Sequence, residues 1–555
     1  MNKEIKYALD YHEATKHSEI SLMTSRHYLD LEDRPLPFKT YTELSSYPLP
    51  LDFPQPALNA IASISKIYPQ SSETITGDAI TTVIDIKRVA ELLFFSGGIT
   101  REIRYPFSTF YMRAASATGA LYPIEFYIVC KDLPDLKAGV YHFGPADFSL
   151  TQIRKGDYRP ELAAAAGDNL AIVTAPITII LTSIAWRNAW KYQARSYRHW
   201  FWDSGVIAAN LLATTVSMEL PTRLITGFVD DNVSRLLRLE DQREAAVAIA
   251  AIGIGLSKDS LPKEDKQIPY LDIPKVRPLS KKGEIEYPEI WRLNNSSKLF
   301  SKEEVKEWIN NYKNNNNISS ISTTREQSST VAQTLDRQTK LIEQYNDSPN
   351  IASLGEVILR RGSSRRFARS SVSFSILSTI LHSSTIGIPI DIFKEDGDSL
   401  IDIYLIANDI DGLSPGGYFF NRESHHLEEL KRNVSRNMSR YLCLGQSLFS
   451  DASAVLFLMT GLQSLLRSFG NRGYRVSQFE AGIIAGKIYL AAYAQGIGAS
   501  GSTFFDDAVT EFFSPHAISK NTMIAIGIGV PAYKAISGKI LSPRLTRQQL
   551  LTENL

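Results

Sequence analysis

The chain has 555 residues, a formal net charge of +1 and two cysteines. That length suits two large domains or three smaller ones with sizeable cores, and so balanced a charge gives no reason to expect a nucleic-acid partner. Cys130 and Cys443 stand far apart in no CxxC pattern and read as buried free thiols in a reducing cytosol, not as a metal site, while the absence of a signal core and of any run of about twenty apolar residues points to a soluble cytoplasmic protein with no membrane partner.

In chain order, residues 1–70 open with a short helical start and continue rich in Pro and Tyr, as an arm that wraps a folded domain. Residues 71–257 alternate helical and strand patterns: IDIKRVAELLFFSGG (84–98) is an amphipathic helix ending at Gly, and IEFYIVC (124–130) and ITIILTSI (177–184) are strands. WDSGVIAANLLATTVSMEL (202–220) is a long apolar helix stopped by Pro221. Residues 258–350 are a connector with one predicted helix, SKEEVKEWINNY (301–312), opened by a Ser301/Glu304 capping box and followed by the tether NNNNISSISTTREQSST (314–330). Residues 351–540 form a second domain with strands near 402–406 and 454–459 and a long helix at 478–495, and 541–555 are a tail.

Residues 125–231 and 402–508 repeat one unit. RNAWKYQARSYRHWFWDSG (187–205) lies over SLLRSFGNRGYRVSQFEAG (464–482), which pairs Arg195, Tyr197, Arg198, Asp203 and Gly205 with Arg472, Tyr474, Arg475, Glu480 and Gly482. Each pair stands 277 positions apart, as 195 and 472 do, and the same offset carries EFYIV (125–129) onto DIYLI (402–406) and Phe228 onto Phe505. Because Arg195, Tyr197 and Arg198 recur, a structural role common to both copies explains them best.

Two elements are not shared, and they complement each other. RAASATGALYP (113–123) in the first copy faces IDIFKEDGDSL (390–400) in the second. RRGSSRRF (360–367) in the second copy faces SSETITGD (71–78), which has no basic residue. Read by themselves, Arg361, Ser363 and Arg365 opening a helix suit a phosphate monoester, against the plainer reading of a solvated basic helix start. The small-residue loop lets a flat ring approach the main chain, against the plainer reading of a tight turn. GIGASG (496–501) has the form GxGxxG, but a helix precedes it where a dinucleotide fold needs a strand. The Rossmann reading is rejected, and Gly496, Gly498 and Ser500 are kept as a cofactor-facing loop of close approach.

Taken together these residues resemble the nitroreductase-like flavoproteins and, within them, the SagB/ThcOx-type dehydrogenases, over nearly the whole chain. R-x-S-x-R-x-F stands here as Arg361, Ser363, Arg365 and Phe367, the element that in the family holds the FMN phosphate. The family's ring-lining loop is matched by Ala115, Ser116, Ala117, Thr118 and Gly119, with Ala115 where Pro is usual. TKHS (15–18), HYLD (27–30) and PFKTY (37–41) are similar to the N-terminal signature of the tandem members, and Lys191 and Tyr192 match the Lys-Tyr pair of the azoline-oxidising ones. The second copy has Ser468 and Phe469 there.

The resemblance implies an α+β fold: two nitroreductase-like domains in tandem, each an antiparallel-rich sheet flanked by helices, closing into an intramolecular pseudo-dimer that needs no second chain. Family dimers build each FMN site from both subunits, so the two unshared elements imply one composite FMN per chain. Lys191 or Tyr192 is then the candidate base, and Arg113 a candidate for the flavin N1/O2 edge, with a plain salt bridge as its alternative. Three functions follow. The first is an FMN-dependent dehydrogenase acting on a peptide, typically azoline to azole, alongside a cyclodehydratase complex. The second is an NAD(P)H-dependent nitro- or quinone-reductase, and the third a non-catalytic scaffold. Yellow purified protein excludes the third, and bleaching by NAD(P)H without peptide favours the second.

Overall fold

Two seven-stranded antiparallel sheets repeat one strand order, and every internal strand of the first recurs in the second at the offset read from the sequence. The computed structural model describes residues 2–66, 83–106, 108–261, 266–313, 338–342, 352–394, 398–541 and 544–552. In the first sheet the order runs Ser46–Pro48, Ser149–Lys155, Gly139–Gly144, Ile124–Cys130, Ile177–Ile184, Glu244–Ile252, Thr222–Ile225. In the second it runs Gln338–Lys340, His426–Arg432, Gly416–Asn421, Asp402–Ala407, Ala454–Thr460, Asn521–Gly529, Gly498–Ser502. Even the irregularities repeat: register shifts at Val140/Tyr141 and Leu181/Thr182 recur at Gly417/Tyr418 and Leu458/Met459. Bulges re-aim a strand, so their recurrence marks one inherited fold.

Each sheet takes its outermost strand from outside its own repeat. The arm supplies Ser46–Pro48 and the connector Gln338–Lys340, which cover edges that would otherwise expose unpaired backbone groups. The arm is anchored further by Tyr41, whose hydroxyl lies 2.8 Å from that of Tyr127, and by a buried Lys39–Glu244 ion pair.

The copies meet through the helices Ser196–Ser217 and Arg472–Ala494, whose residues are buried almost without exception. A helix that is apolar all round needs protein on every side, and each sheet together with the opposite copy provides it. Around the same pseudo-two-fold axis the starts of the helices Ala60–Ser65 and Leu354–Arg360 pair directly. Leu354 N–H donates to Leu58 O at 2.8 Å, and Ala60 N–H to Ala352 O at 3.2 Å.

Buried ion pairs cross the same seam. Arg195 and Arg198 of the first copy donate to Asp506 of the second at 3.0 and 2.8 Å, while Arg472 and Arg475 donate to Asp230 at 2.7 and 2.6 Å. Burial alone would raise the Asp506 carboxyl; Arg195 and Arg198 overcome it and hold the group well below the usual carboxylate range. The recurring arginines are therefore structural, as their recurrence predicts.

Several sequence expectations change. The helix expected at 202–220 begins earlier, at Ser196, and the one expected at 478–495 begins at Arg472. Among its described residues the connector carries two helices, Pro288–Ser296 as well as Lys302–Lys313; the first has Pro at its first turn and buries Ile290, Trp291 and Leu293. The stretches 71–78 and 314–330 lie outside the described residues. Cys130 and Cys443 are both buried and free, and no helix among the described residues is long and apolar enough to cross a membrane.

Candidate functional site

The basic run does not open a helix. The helix Leu354–Arg360 ends before it, the next helix begins only at Phe374, and Arg361 is the C-cap of the first. Ser-Ser-Arg-Arg has no apolar spacing to extend a helix, so the run forms an irregular turn laid against the strand Gly498–Ser502. Ser364 N–H donates to Ala499 O at 2.9 Å, and a Cβ on Gly498 would collide with the Ser364 hydroxyl. Gly498 is thus a glycine of close approach. Gly496 is not: it is exposed, with open space where a Cβ would stand, and its positive φ of 80° turns the chain out of the long helix. The segment GIGASG does follow a helix and enter a strand, in keeping with the rejected dinucleotide reading, and Ser500 is buried within that strand.

The two unshared elements touch. Arg361 Nε donates to Ala114 O at 3.0 Å and Nη2 to Arg113 O at 3.2 Å, so the second copy's basic turn grips the main chain of the first copy's loop. That loop runs from Arg113 through Ala115, Ser116 and Ala117 into a tight turn at Thr118–Ala120, where Gly119 has φ +63°. Its rigidity does not depend on a Pro at position 115. Thr118 donates both its main-chain N–H (2.8 Å) and its hydroxyl (2.7 Å) to Asp203, and Asn210 donates to Ala114 O at 3.2 Å. Burial pushes the Asp203 carboxyl up to about 7 against these hydrogen bonds.

Lys191 and Tyr192 end the helix Ala185–Tyr192, which leaves the strand Ile177–Ile184 directly. The Tyr192 hydroxyl lies 2.8 Å from where a Cβ on Gly119 would stand, so this tyrosine meets the loop. Burial raises the Tyr192 phenol and the nearby Asp203 raises it further, which makes it a donor, not a base. Lys191 is half-buried and forms no ion pair among the described residues; burial lowers its pKa, and the charges of Arg365 and Arg34 lower it further. Cations from the arm, the first copy and the second copy thus converge on one opening.

Ser363 lies beside the Tyr489 hydroxyl at 3.3 Å, and Arg365 points to solvent with its N–H donated to Tyr533 Oη at 3.0 Å. Arg113 lines the same cleft as Ala115, Ser116 and Ala117. Its guanidinium donates to Pro37 O of the arm at 2.7 Å and lies 4.9 Å from the centre of the Tyr122 ring, with no salt bridge among the described residues. Burial lowers its pKa to about 10.

Sequence reasoning missed Arg101, whose Nη2 donates to the carbonyls of Leu359, Arg360 and Arg361 at 3.1, 2.8 and 2.7 Å and so ties down the helix end that carries the basic turn. It sits on the hairpin Ile99–Tyr105/Ser108–Arg113. The signal was available: the helices before this point, Ile86–Gly97 and Phe374–Thr385, stand 288 apart and the strands after it 277, which marks an insertion in the first copy.

The pseudo-symmetric opening at the other side is built from different residues. Leu212, Val216 and Thr222 occupy the places of Tyr489, Tyr493 and Ala499, and Gly387 and Pro389 fill the loop's place together with Lys487. The Lys487 ammonium donates to the carbonyl of Ile386.

A family model described as the Nitroreductase family matches residues 82–255 and 418–529, more than half of the chain and parts of both copies. The chain belongs to the nitroreductase family. Its relatives include a protein of Methanocaldococcus jannaschii named as a nitroreductase (MJ1384), 26% identical over 158 residues, which cover 28% of this chain and 76% of that one. The microcin B17-processing protein McbC of Escherichia coli is 22% identical over 209 residues, 36% of this chain and 74% of McbC. A solved structure from Anabaena variabilis described as a nitroreductase superposes with a TM-score of 0.70 at 23% identity, over 95% of this chain and 99% of that chain. The nitroreductase fold therefore extends over both copies, and the chain is a tandem, pseudo-dimeric member of the family.

Proposed function

We propose that this nitroreductase-family oxidoreductase binds one FMN per chain and dehydrogenates a ring within a peptide, azoline to azole being the type reaction. The observation that carries the reading is the Arg361 guanidinium on the carbonyls of Arg113 and Ala114, which joins two elements that each occur once. The donors fit the group: Ser363 and the exposed Arg365 suit its phosphate, and the small side chains of Ser116 and Ala117 let a flat ring approach the loop. Gly498 and Ser500 form the strand behind the phosphate turn. When bound, the flavin supplies hydride acceptance.

The chain's own residues do the rest. Lys191, its pKa lowered by burial and by Arg365 and Arg34, takes the acidic proton of the substrate ring as the hydride leaves. Tyr192 donates a hydrogen bond from beside Gly119 and orients the substrate. Arg101 and Asp203 act indirectly, by holding the phosphate turn and the ring loop in place. Residues 71–257 and 351–540 serve as the two halves of the pseudo-dimer.

The similarity to McbC, whose name assigns it to the processing of microcin B17, supports a peptide substrate. The test is aerobic incubation of the purified protein with a thiazoline-containing peptide, with mass spectrometry for the loss of two hydrogens. Rapid flavin bleaching by NAD(P)H with no loss of hydrogens from the peptide would replace this reading with the reductase one.

A further inference from the structure

Residues 18–31 form a strap fixed at both ends and unsupported in the middle. At one end His17 N–H donates to Asp506 Oδ2 at 2.8 Å and Asp506 N–H to His17 O at 3.2 Å. At the other His27 Nε2 lies 3.1 Å from Trp190 O, and Trp190 Nε1 donates to Asp30 O at 3.1 Å. Between them the helix Glu19–Thr24 is closed by a Ser18/Ser21 capping box yet buries none of its residues. Ile20 is 74% exposed, Met23 82%, Tyr28 84% and Leu31 72%. A helix of six residues has no stability of its own in water, so its order comes from the two anchors, and its apolar side chains are held outward.

The location gives the strap its meaning. Trp190, which both anchors it and is anchored by it, directly precedes Lys191. Arg34 lies 4.0 Å over the Phe110 ring and near enough to Lys191 to lower its pKa, and the strap itself carries an exposed Arg26; neither arginine forms an ion pair among the described residues. Glu19 at the helix start lies against Tyr441 of the second copy, so the ledge spans both copies. Apolar side chains held at the surface beside unpaired cations, continuous with the opening at Lys191, make a surface for an extended peptide that is apolar and acidic.

We infer that the strap is the docking ledge for the peptide segment flanking the reacting ring: Ile20, Met23 and Tyr28 take its apolar side chains, and Arg26 and Arg34 its carboxylates. This rests on the proposed function, since it requires a peptide substrate. Because Ile20 and Met23 lie on a helix that buries none of its residues and Tyr28 is 84% exposed, polar substitutions at these three positions leave the core intact.

The test compares two probes with the full-length holoprotein: a synthetic nonapeptide carrying one central thiazoline between Leu and Asp residues, and a thiazoline bearing only small blocking groups. Ile20→Ser/Met23→Ser and, separately, Tyr28→Ser should each raise KM for the nonapeptide at least about tenfold, the effect of losing one large buried apolar side chain, with turnover of the small thiazoline unchanged. Equal kinetics on both probes in both variants would overturn the ledge while leaving the proposed function standing, as would a change from dimer to monomer by light scattering with no change in KM, which assigns the strap to a second copy. An equal loss on both probes would also overturn it. If the wild-type protein oxidises neither probe, the proposed function fails and the ledge with it.

Discussion

Gly205 and Gly482 hold the same position in the two copies and face each other across the seam. A Cβ built on Gly205 would stand 2.6 Å from the Gly482 Cα, and one on Gly482 would stand 2.6 Å from the Trp202 carbonyl. The two long helices touch backbone to backbone here, as only glycine permits. Gly205→Ala should force the helices apart and cost about 1–3 kcal/mol or more, as overpacking does. Urea unfolding should show the loss, and Gly482→Ala should match it, because the axis relates the two.

The buried ion pairs predict a larger effect. Asp506→Asn leaves Arg195 and Arg198 inside the protein without a carboxylate and should destabilise it by about 3–5 kcal/mol; Asp230→Asn should do the same through Arg472 and Arg475. In the native protein both carboxyls are held below their unfolded values. Their contribution is therefore present above the unfolded pKa and is lost as pH falls below about 4. Thermal unfolding between pH 2 and 5 reads this directly, and the two asparagine variants should lose much of that dependence.

Asp203 and Glu480, at matching positions, titrate in the opposite sense. Burial pushes both up to about 7, so each favours the folded state while protonated, and that contribution is lost as pH rises from about 4 to 7. Asp203→Asn keeps an acceptor for Thr118, and the Asn188 amide can turn its unbonded oxygen to the new donor. The double variant Asp203→Asn/Glu480→Gln should fold and show a flatter melting temperature across pH 4–7. A slope unchanged from wild type would remove the assignment.

Much of this architecture was legible in the sequence because a repeat keeps its register: strands 124–130 and 177–184 are found where alternation and length put them. Recurrence also separated structure from chemistry, since Arg195 and Arg198 came back as Arg472 and Arg475 while Lys191 did not. What stayed hidden depends on tertiary contact. The basic run is a turn and not a helix start because it is laid against strand 498–502, a pairing no local pattern encodes. Arg113 was a candidate for the flavin edge or for a plain salt bridge, and its contact with the Pro37 carbonyl of the arm is one that no local pattern encodes. The edge strand 46–48 lies in a Pro-rich stretch that reads as coil and becomes a strand only where residues 149–151 offer it a partner.

The proposed base predicts a pH profile. Lys191→Ala should lower turnover by about 10²–10⁴-fold and leave FMN bound. With Lys191 as base, activity rises with pH through a pKa below that of a free lysine. Arg34 is one of the two charges lowering it, so Arg34→Gln should move the rising limb to higher pH with FMN content unchanged. A limb that stays put in that variant would separate Lys191 from the proton transfer.

The central claim is that two diverged copies divide one cofactor site between them, and the count of cofactor per chain tests it most directly. FMN released by denaturation from protein saturated with FMN and freed of excess, measured against polypeptide concentration, should come to one per chain. Arg365→Ala, which removes the exposed guanidinium of the phosphate turn, should bring it towards zero. Two per chain would show that the opposite opening, with Leu212 and Val216 in place of the tyrosines, is also a flavin site, and would contradict the account.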